Sequence, residues 1–100
     1  MVRHIVLWNF KEGFSDEENT QNAQKIKAEL EALPSLIEGV VSLQVNLSPL
    51  ASSNRDVALN SLFVSEEALA RYQTHPEHVR VGALVAAAFC NRACADYVED

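Results

Sequence analysis

The chain has 100 residues, 48% of them hydrophobic, and eight Lys and Arg stand against fourteen Asp and Glu for a formal charge of −6. That length and apolar content fit one small core, which excludes disordered, fibrous and multidomain classes. The charge excludes a nucleic-acid surface, because the only close cation pair, Lys25 and Lys27, is followed at once by Glu29 and Glu31.

The first strand is expected over Val2–Phe10, rich in β-branched and aromatic residues. Its apolar stretch Ile5–Trp8 is too short for a secretory signal core, and no segment reaches the ~18–20 apolar residues of a membrane span. No membrane partner is expected, and the chain reads as cytoplasmic. Ser15 followed by Glu18 is a capping box, which starts a helix that should run to about Leu33, where Pro34 stops it. Its inner stripe is Ala23, Ile26, Leu30 and Leu33.

After Gly39, Val40–Leu47 alternates apolar Val41, Leu43, Val45 and Leu47 with Ser42, Gln44 and Asn46, a one-sided strand. Ser48–Asn54 is a turn-rich loop, and a third strand spans Val57–Val64. Ser65 caps a second helix, and Pro76 fits only the first turn of a new one, so a break falls at Thr74–His75. The third helix runs from Pro76 to about Ala88. The run Val81–Cys90 has no polar residue, which predicts burial on most sides. Cys90 and Cys94 match neither a redox nor a zinc spacing, so they read as reduced, buried or half-buried small residues. A last strand covers Arg92–Val98.

The order β-α-β-β-α-α-β predicts an α+β, ferredoxin-like subunit in which the first and third strands are central. Both are apolar on two faces: Val6, Trp8 and Phe10 oppose Ile5 and Leu7, and Val57, Leu59 and Phe63 oppose Ala58, Leu62 and Val64. Helices cover one face only, and leaving the other wet forfeits about 1.5–3 kcal/mol per large side chain. A second copy, packed sheet to sheet as a homodimer, is the expected cover.

The candidate chemistry lies in three histidines and a tyrosine. His4 shares a face with Val6 and Trp8, and either packs as a core histidine or borders a pocket. Tyr72 falls on the inner stripe of the second helix, with a hydroxyl that needs a partner. His75 caps the next helix or faces solvent. His78 shares a face with Val81 and Val85 and should point inward, where burial and the helix dipole lower its pKa and leave a neutral imidazole. Together His4, Tyr72 and His78 would border a pocket between sheet and helices, a setting for removing a proton next to a carbonyl and holding the enolate oxygen. His75 and His78 straddle a helix break, so no metal site is expected.

The opening Met1–Trp8, the segment Asp56–Ser65, the string Tyr72-Gln73-Thr74-His75-Pro76-Glu77-His78 and the closing Asp96-Tyr97 resemble the stress-responsive A/B barrel (Dabb) family across the whole chain. The resemblance implies a single Dabb domain over residues 1–100, a dimeric α+β barrel and no cofactor. The family includes stress-induced proteins and a plant polyketide cyclase that closes a ring by intramolecular aldol condensation. That cyclase uses a tyrosine and a histidine matching Tyr72 and His78, and a pocket histidine matching His4. Its first-helix aromatic is replaced by Ile26, and Trp8 is bulky, so the implied pocket is lined by His4, Val6, Trp8 and Ile26 and is an altered or smaller version of a polyketide tunnel. Leu62 stands where many bacterial relatives carry an acidic residue. Two functions follow from the resemblance: binding of a small apolar or carbonyl-containing molecule, or cyclase-like catalysis with His78 as base and Tyr72 orienting. A cavity of about 300 Å³ or more beside His78 and Tyr72 favours either over a purely structural role.

Overall fold

The computed structural model describes Met1–Asp100. Its elements are β1 (Val2–Phe10), α1 (Asp16–Glu31), a 3-10 turn (Leu33–Ser35), β2 (Val40–Asn46), β3 (Val57–Phe63), α2 (Glu66–Thr74), α3 (Pro76–Ala88) and β4 (Phe89–Val98). The sheet order is β2-β3-β1-β4, with every neighbouring pair antiparallel. This is the ferredoxin-like α+β arrangement, with β1 and β3 central.

The element ends follow local chemistry. Ser15 accepts from the Glu18 backbone at 3.1 Å and Glu18 accepts from the Ser15 backbone at 2.9 Å, the reciprocal capping box. α1 ends at Glu31, earlier than Leu33, because the chain tightens into the 3-10 turn that holds Pro34. β4 begins at Phe89, earlier than Arg92, since α3 passes straight into the strand.

On β1 the residues Val2, His4, Val6 and Trp8 are buried under the helices, opposite Phe63, Ser61, Leu59 and Val57 of β3. Ser61 satisfies its buried hydroxyl by donating to the His4 carbonyl at 2.8 Å. The helices contribute Ala23, Ile26, Leu30, Ala68, Leu69, Tyr72 and Val81 to the same core. The other face of the sheet has no helix on it. There Ile5, Leu7, Ala58 and Leu62 are half-buried, and Tyr97 is 47% exposed.

Three expectations need correction. Val41 is exposed, not inward, because a register shift between Val40 and Ser42 breaks the alternation of β2. The third helix buries only Val81 and Ala88 fully, while Ala83 and Ala87 are exposed. Alanine is too small to be driven inward strongly, so an unbroken apolar run of this composition does not require burial. Cys94 is exposed, because β4 is an edge strand not covered there by a helix.

Candidate functional site

A cavity of about 330 Å³ lies between the sheet and α3. Its floor is His4, Val6 and Trp8 of β1 with Leu59 of β3, and Leu30 of α1 closes one end. Tyr72 of α2 and His78, Gly82, Val85 and Ala86 of α3 form the opposite wall. The start of β4, Phe89 to Arg92, borders the remainder. Trp8 lies against Phe89, with ring centroids 5.6 Å apart, and so serves as a wall and does not fill the space.

The helix break sets the polar groups. Ser65 accepts from the Ala68 backbone at 3.1 Å and starts α2, which delivers Tyr72 to the core two turns later. His75 takes the capping role: its Nδ1 accepts from the Glu77 backbone at 3.1 Å, with Pro76 in the first turn. The sharp turn this produces folds His78 back onto Tyr72, ring centroids 4.3 Å apart. His4 packs edge-on to Tyr72 and Phe63, at 6.4 and 6.1 Å.

Protonation follows from these contacts. His78 Nδ1 lies 3.1 Å from the Gln73 carbonyl, which can only accept, so Nδ1 carries the hydrogen and Nε2 of the neutral ring holds the lone pair. Burial lowers the His78 pKa below its ordinary value, against the Gln73 hydrogen bond, and the charges of His4 and Arg92 lower it further. Burial also pushes the Tyr72 phenol well above its ordinary range, so it stays a hydrogen-bond donor. Tyr72 is 1% exposed, and its hydroxyl has no hydrogen-bond partner in the protein. The residue is buried but its hydroxyl is not sealed in, so the unpartnered O–H opens on the cavity and is available to a ligand oxygen.

His4 is buried, and its Nδ1 is hydrogen-bonded to the Asp96 carboxylate, directly opposite on β4. The pairing fixes the ring and leaves Nε2 as its other nitrogen. Cys94 Sγ is 3.9 Å from His4 Nδ1 and 3.5 Å from Asp96 Oδ1. These three side chains, whose ligand atoms lie within 4.8 Å of one another, are the set in the chain with donors suited to a metal ion. Partial burial and the neighbouring carboxylate raise the Cys94 pKa, which keeps the thiol protonated.

Of the residues expected from sequence, the fold brings His4, Val6, Trp8, Tyr72 and His78 to one cavity. Ile26 is not among them. It is 2% exposed and packs in the seam between α1 and α3 beside Leu84 and Ala88, while Leu30, one turn on, reaches the cavity. Asp96, Asn91, Arg92 and Gly82 were not singled out by their chemistry. Asp96 was legible in principle, since an antiparallel β1–β4 register sets it opposite His4.

The family model for the stress responsive A/B barrel domain, Dabb, matches residues 2–99. This chain belongs to the Dabb family. A solved structure, described as a dimeric protein of unknown function with a ferredoxin-like fold from Bacteroides fragilis, is 34% identical with a TM-score of 0.88, covering 96% of this chain and 93% of its own. A dimeric ferredoxin-like protein of unknown function from Thermobifida fusca is 22% identical with a TM-score of 0.82, covering 98% and 90%. Hydroxynitrile lyase from Passiflora edulis shares the fold at 18% identity and a TM-score of 0.80, covering 99% and 93%. No curated protein sequence matches the chain. No helix of this Dabb protein is long and apolar enough to cross a membrane.

Proposed function

We propose that this Dabb protein is a homodimer that binds a small, largely apolar molecule bearing a carbonyl group in the cavity between sheet and helices. The observation that carries this reading is the Tyr72 hydroxyl, which makes no hydrogen bond in the protein and opens on an apolar cavity of about 330 Å³ beside the His78 ring. A cavity of that size is within the range of small-molecule sites. Tyr72 donates to the ligand's carbonyl oxygen, and Trp8, Phe89, Val6 and Val85 surround its apolar part.

The homodimer is supported by the uncovered sheet face, where Ile5, Leu7, Ala58 and Leu62 are half-buried, and by the dimeric state of the Bacteroides fragilis and Thermobifida fusca relatives. Two such faces packed together remove these side chains from water on both copies.

A second reading, cofactor-independent catalysis, is favoured by the hold of the Gln73 carbonyl on His78 Nδ1. With that hydrogen fixed, Nε2 removes a proton from the carbon next to the carbonyl. The released electron pair moves onto the carbonyl oxygen as an enolate, and the Tyr72 O–H donates to it. His4, oriented by Asp96, supports the ligand from the floor. The fold also carries lyase chemistry in the Passiflora edulis enzyme, at an identity too low to bring that activity here.

The test is a screen of small carbonyl compounds against wild type and His78→Ala, with binding and turnover read side by side. Hits that bind wild type and lose turnover in His78→Ala support catalysis. Hits that bind but never turn over leave a binding protein, and identical behaviour of both proteins on every hit contradicts any role for His78.

A further inference from the structure

The cavity carries a charge signature that the chain as a whole does not. The protein has a formal charge of −6, with fourteen Asp and Glu, yet none of them lines the cavity. Its ionisable lining groups are His4, Tyr72, His78, Cys90 and, at the mouth, Arg92. Arg92 is exposed and forms no ion pair with a carboxylate, and its guanidinium lies against the Cys94 thiol. By contrast, Arg3 is paired with Glu99, Arg80 with Glu29 and Glu77, and Arg55 with the Asn91 carbonyl. Arg71 and Lys25 are also unpaired, but neither borders the cavity.

The backbone aims Arg92 there by an irregularity. Leu7 pairs with Ala93 and Asn9 with Cys90, so β4 has one residue more than β1 opposite Trp8. This is a β-bulge, and Asn91 within it has a φ of +56°, in the left-handed region. In a regular strand successive side chains alternate between faces, so Cys90, Asn91 and Arg92 would not all border one cavity. Here they do. The bulge is pinned: Asn91 Nδ2 donates to Asn9 Oδ1 at 2.6 Å, and Arg55 Nε donates to the Asn91 carbonyl at 3.2 Å. Asparagine tolerates this conformation better than other non-glycine residues, which suits it to the bulge position.

We infer that the ligand is a carboxylate: a small acid whose apolar body lies between Trp8, Phe89 and Val85 and whose carboxylate is received at the mouth by the Arg92 guanidinium. A guanidinium matches a carboxylate with two parallel N–H donors, which a neutral carbonyl cannot fully use. The inference rests on the reading of the cavity as a ligand site and names the class of molecule it takes. With Arg92 on the carboxylate at the mouth, the Tyr72 hydroxyl and His78 are left for a second oxygen deeper in, as in a keto acid.

The test uses two matched probe pairs, phenylacetate against phenylacetamide and hexanoate against hexanamide. Each is titrated up to about 10 mM into wild type, Arg92→Gln and Arg92→Lys, followed by backbone and Trp8 indole chemical shifts. The acid of each pair should bind wild type roughly tenfold more tightly than its amide, the lower end for a charge-assisted hydrogen bond near solvent. Arg92→Gln should remove that preference by weakening the acid more than the amide, Arg92→Lys should keep part of it, and added salt should shrink it. Equal binding of acid and amide to wild type, or an unchanged preference in Arg92→Gln, overturns the carboxylate assignment and leaves the cavity as a site for neutral ligands. Failure of all four probes to shift any cavity residue overturns both readings.

Discussion

Gly39 links the fold to the site, and its replacement by alanine tests that link quantitatively. The residue has a φ of +90° between the 3-10 turn and β2, and its carbonyl accepts from the Val64 backbone at 3.0 Å. A Cβ added there would lie 2.7 Å from the Ala68 Cβ, inside contact distance and against a residue that is 0% exposed. The left-handed conformation costs an alanine about 1–2 kcal/mol. Forcing a methyl against the rigid helix adds about 1–3 kcal/mol, so Gly39→Ala should lose about 2–5 kcal/mol in all. Gly13→Ala is the control, since Gly13 has a φ of +102° with no atom within 4 Å of the added Cβ, and it carries the conformational cost alone. Urea unfolding at one fixed protein concentration reads the difference. With a slope near 1 kcal/mol per M, the Gly39→Ala midpoint should fall by about 2 M or more, and about 1 M or more further than that of Gly13→Ala. Adding Ala68→Gly should restore the part due to the clash, seen as a coupling energy in the double-mutant cycle. Because Tyr72 follows Ala68 by one turn on α2, the single variant should also loosen the Tyr72–His78 pair. Equal midpoints for Gly39→Ala and Gly13→Ala would refute the close approach of α2 to this turn.

Other variants probe separate parts of the account. Tyr72→Phe removes a hydroxyl with no protein partner, so its thermal midpoint should equal or exceed that of wild type while ligand affinity falls; a drop of several degrees would mean the hydroxyl is structurally engaged. Leu62→Glu puts a charge on the uncovered sheet face, and light scattering should show a monomer where wild type shows a dimer. His78 has a folded pKa below its ordinary 6.5, so the unfolded chain binds that proton more readily. Its contribution to stability is therefore full above pH 6.5 and declines on acidification until the pH passes the folded value. Urea midpoints compared between pH 8 and pH 5 should fall less in His78→Gln than in wild type, and equal falls would remove the burial argument.

Much of this was legible in the sequence because it rests on period and caps. Two-sided apolar patterns in the central strands, the Ser15–Glu18 box and the His75-Pro76 break each have one local physical solution, and the chain adopts it. His4, Tyr72 and His78 could be joined because strand alternation and helical spacing turned all three inward. Ile26 failed because the inner stripe of α1 is longer than the cavity, and only the crossing of the helices decides which turn faces it. Arg92 was hidden by the β-bulge: a strict two-residue period does not bring Cys90, Asn91 and Arg92 to one place. Val41 departs from simple alternation for the same reason on β2. Irregular registers depend on partners distant in sequence, which periodicity alone does not report.

The central claim, that the space between sheet and α3 is a ligand cavity, is tested most directly at Gly82. This residue lines the cavity from within α3, and a Cβ built on it meets no atom within 4 Å. Gly82→Leu therefore has open space at its Cβ and should carry its side chain into the cavity, and the replacement of a helical glycine should raise stability by up to about 1 kcal/mol. The measurement is a titration of wild type and Gly82→Leu with a compound that shifts Trp8 and Val85 in the wild type. The account predicts a folded, equally or more stable variant that no longer binds. Unchanged affinity in a folded Gly82→Leu would contradict it.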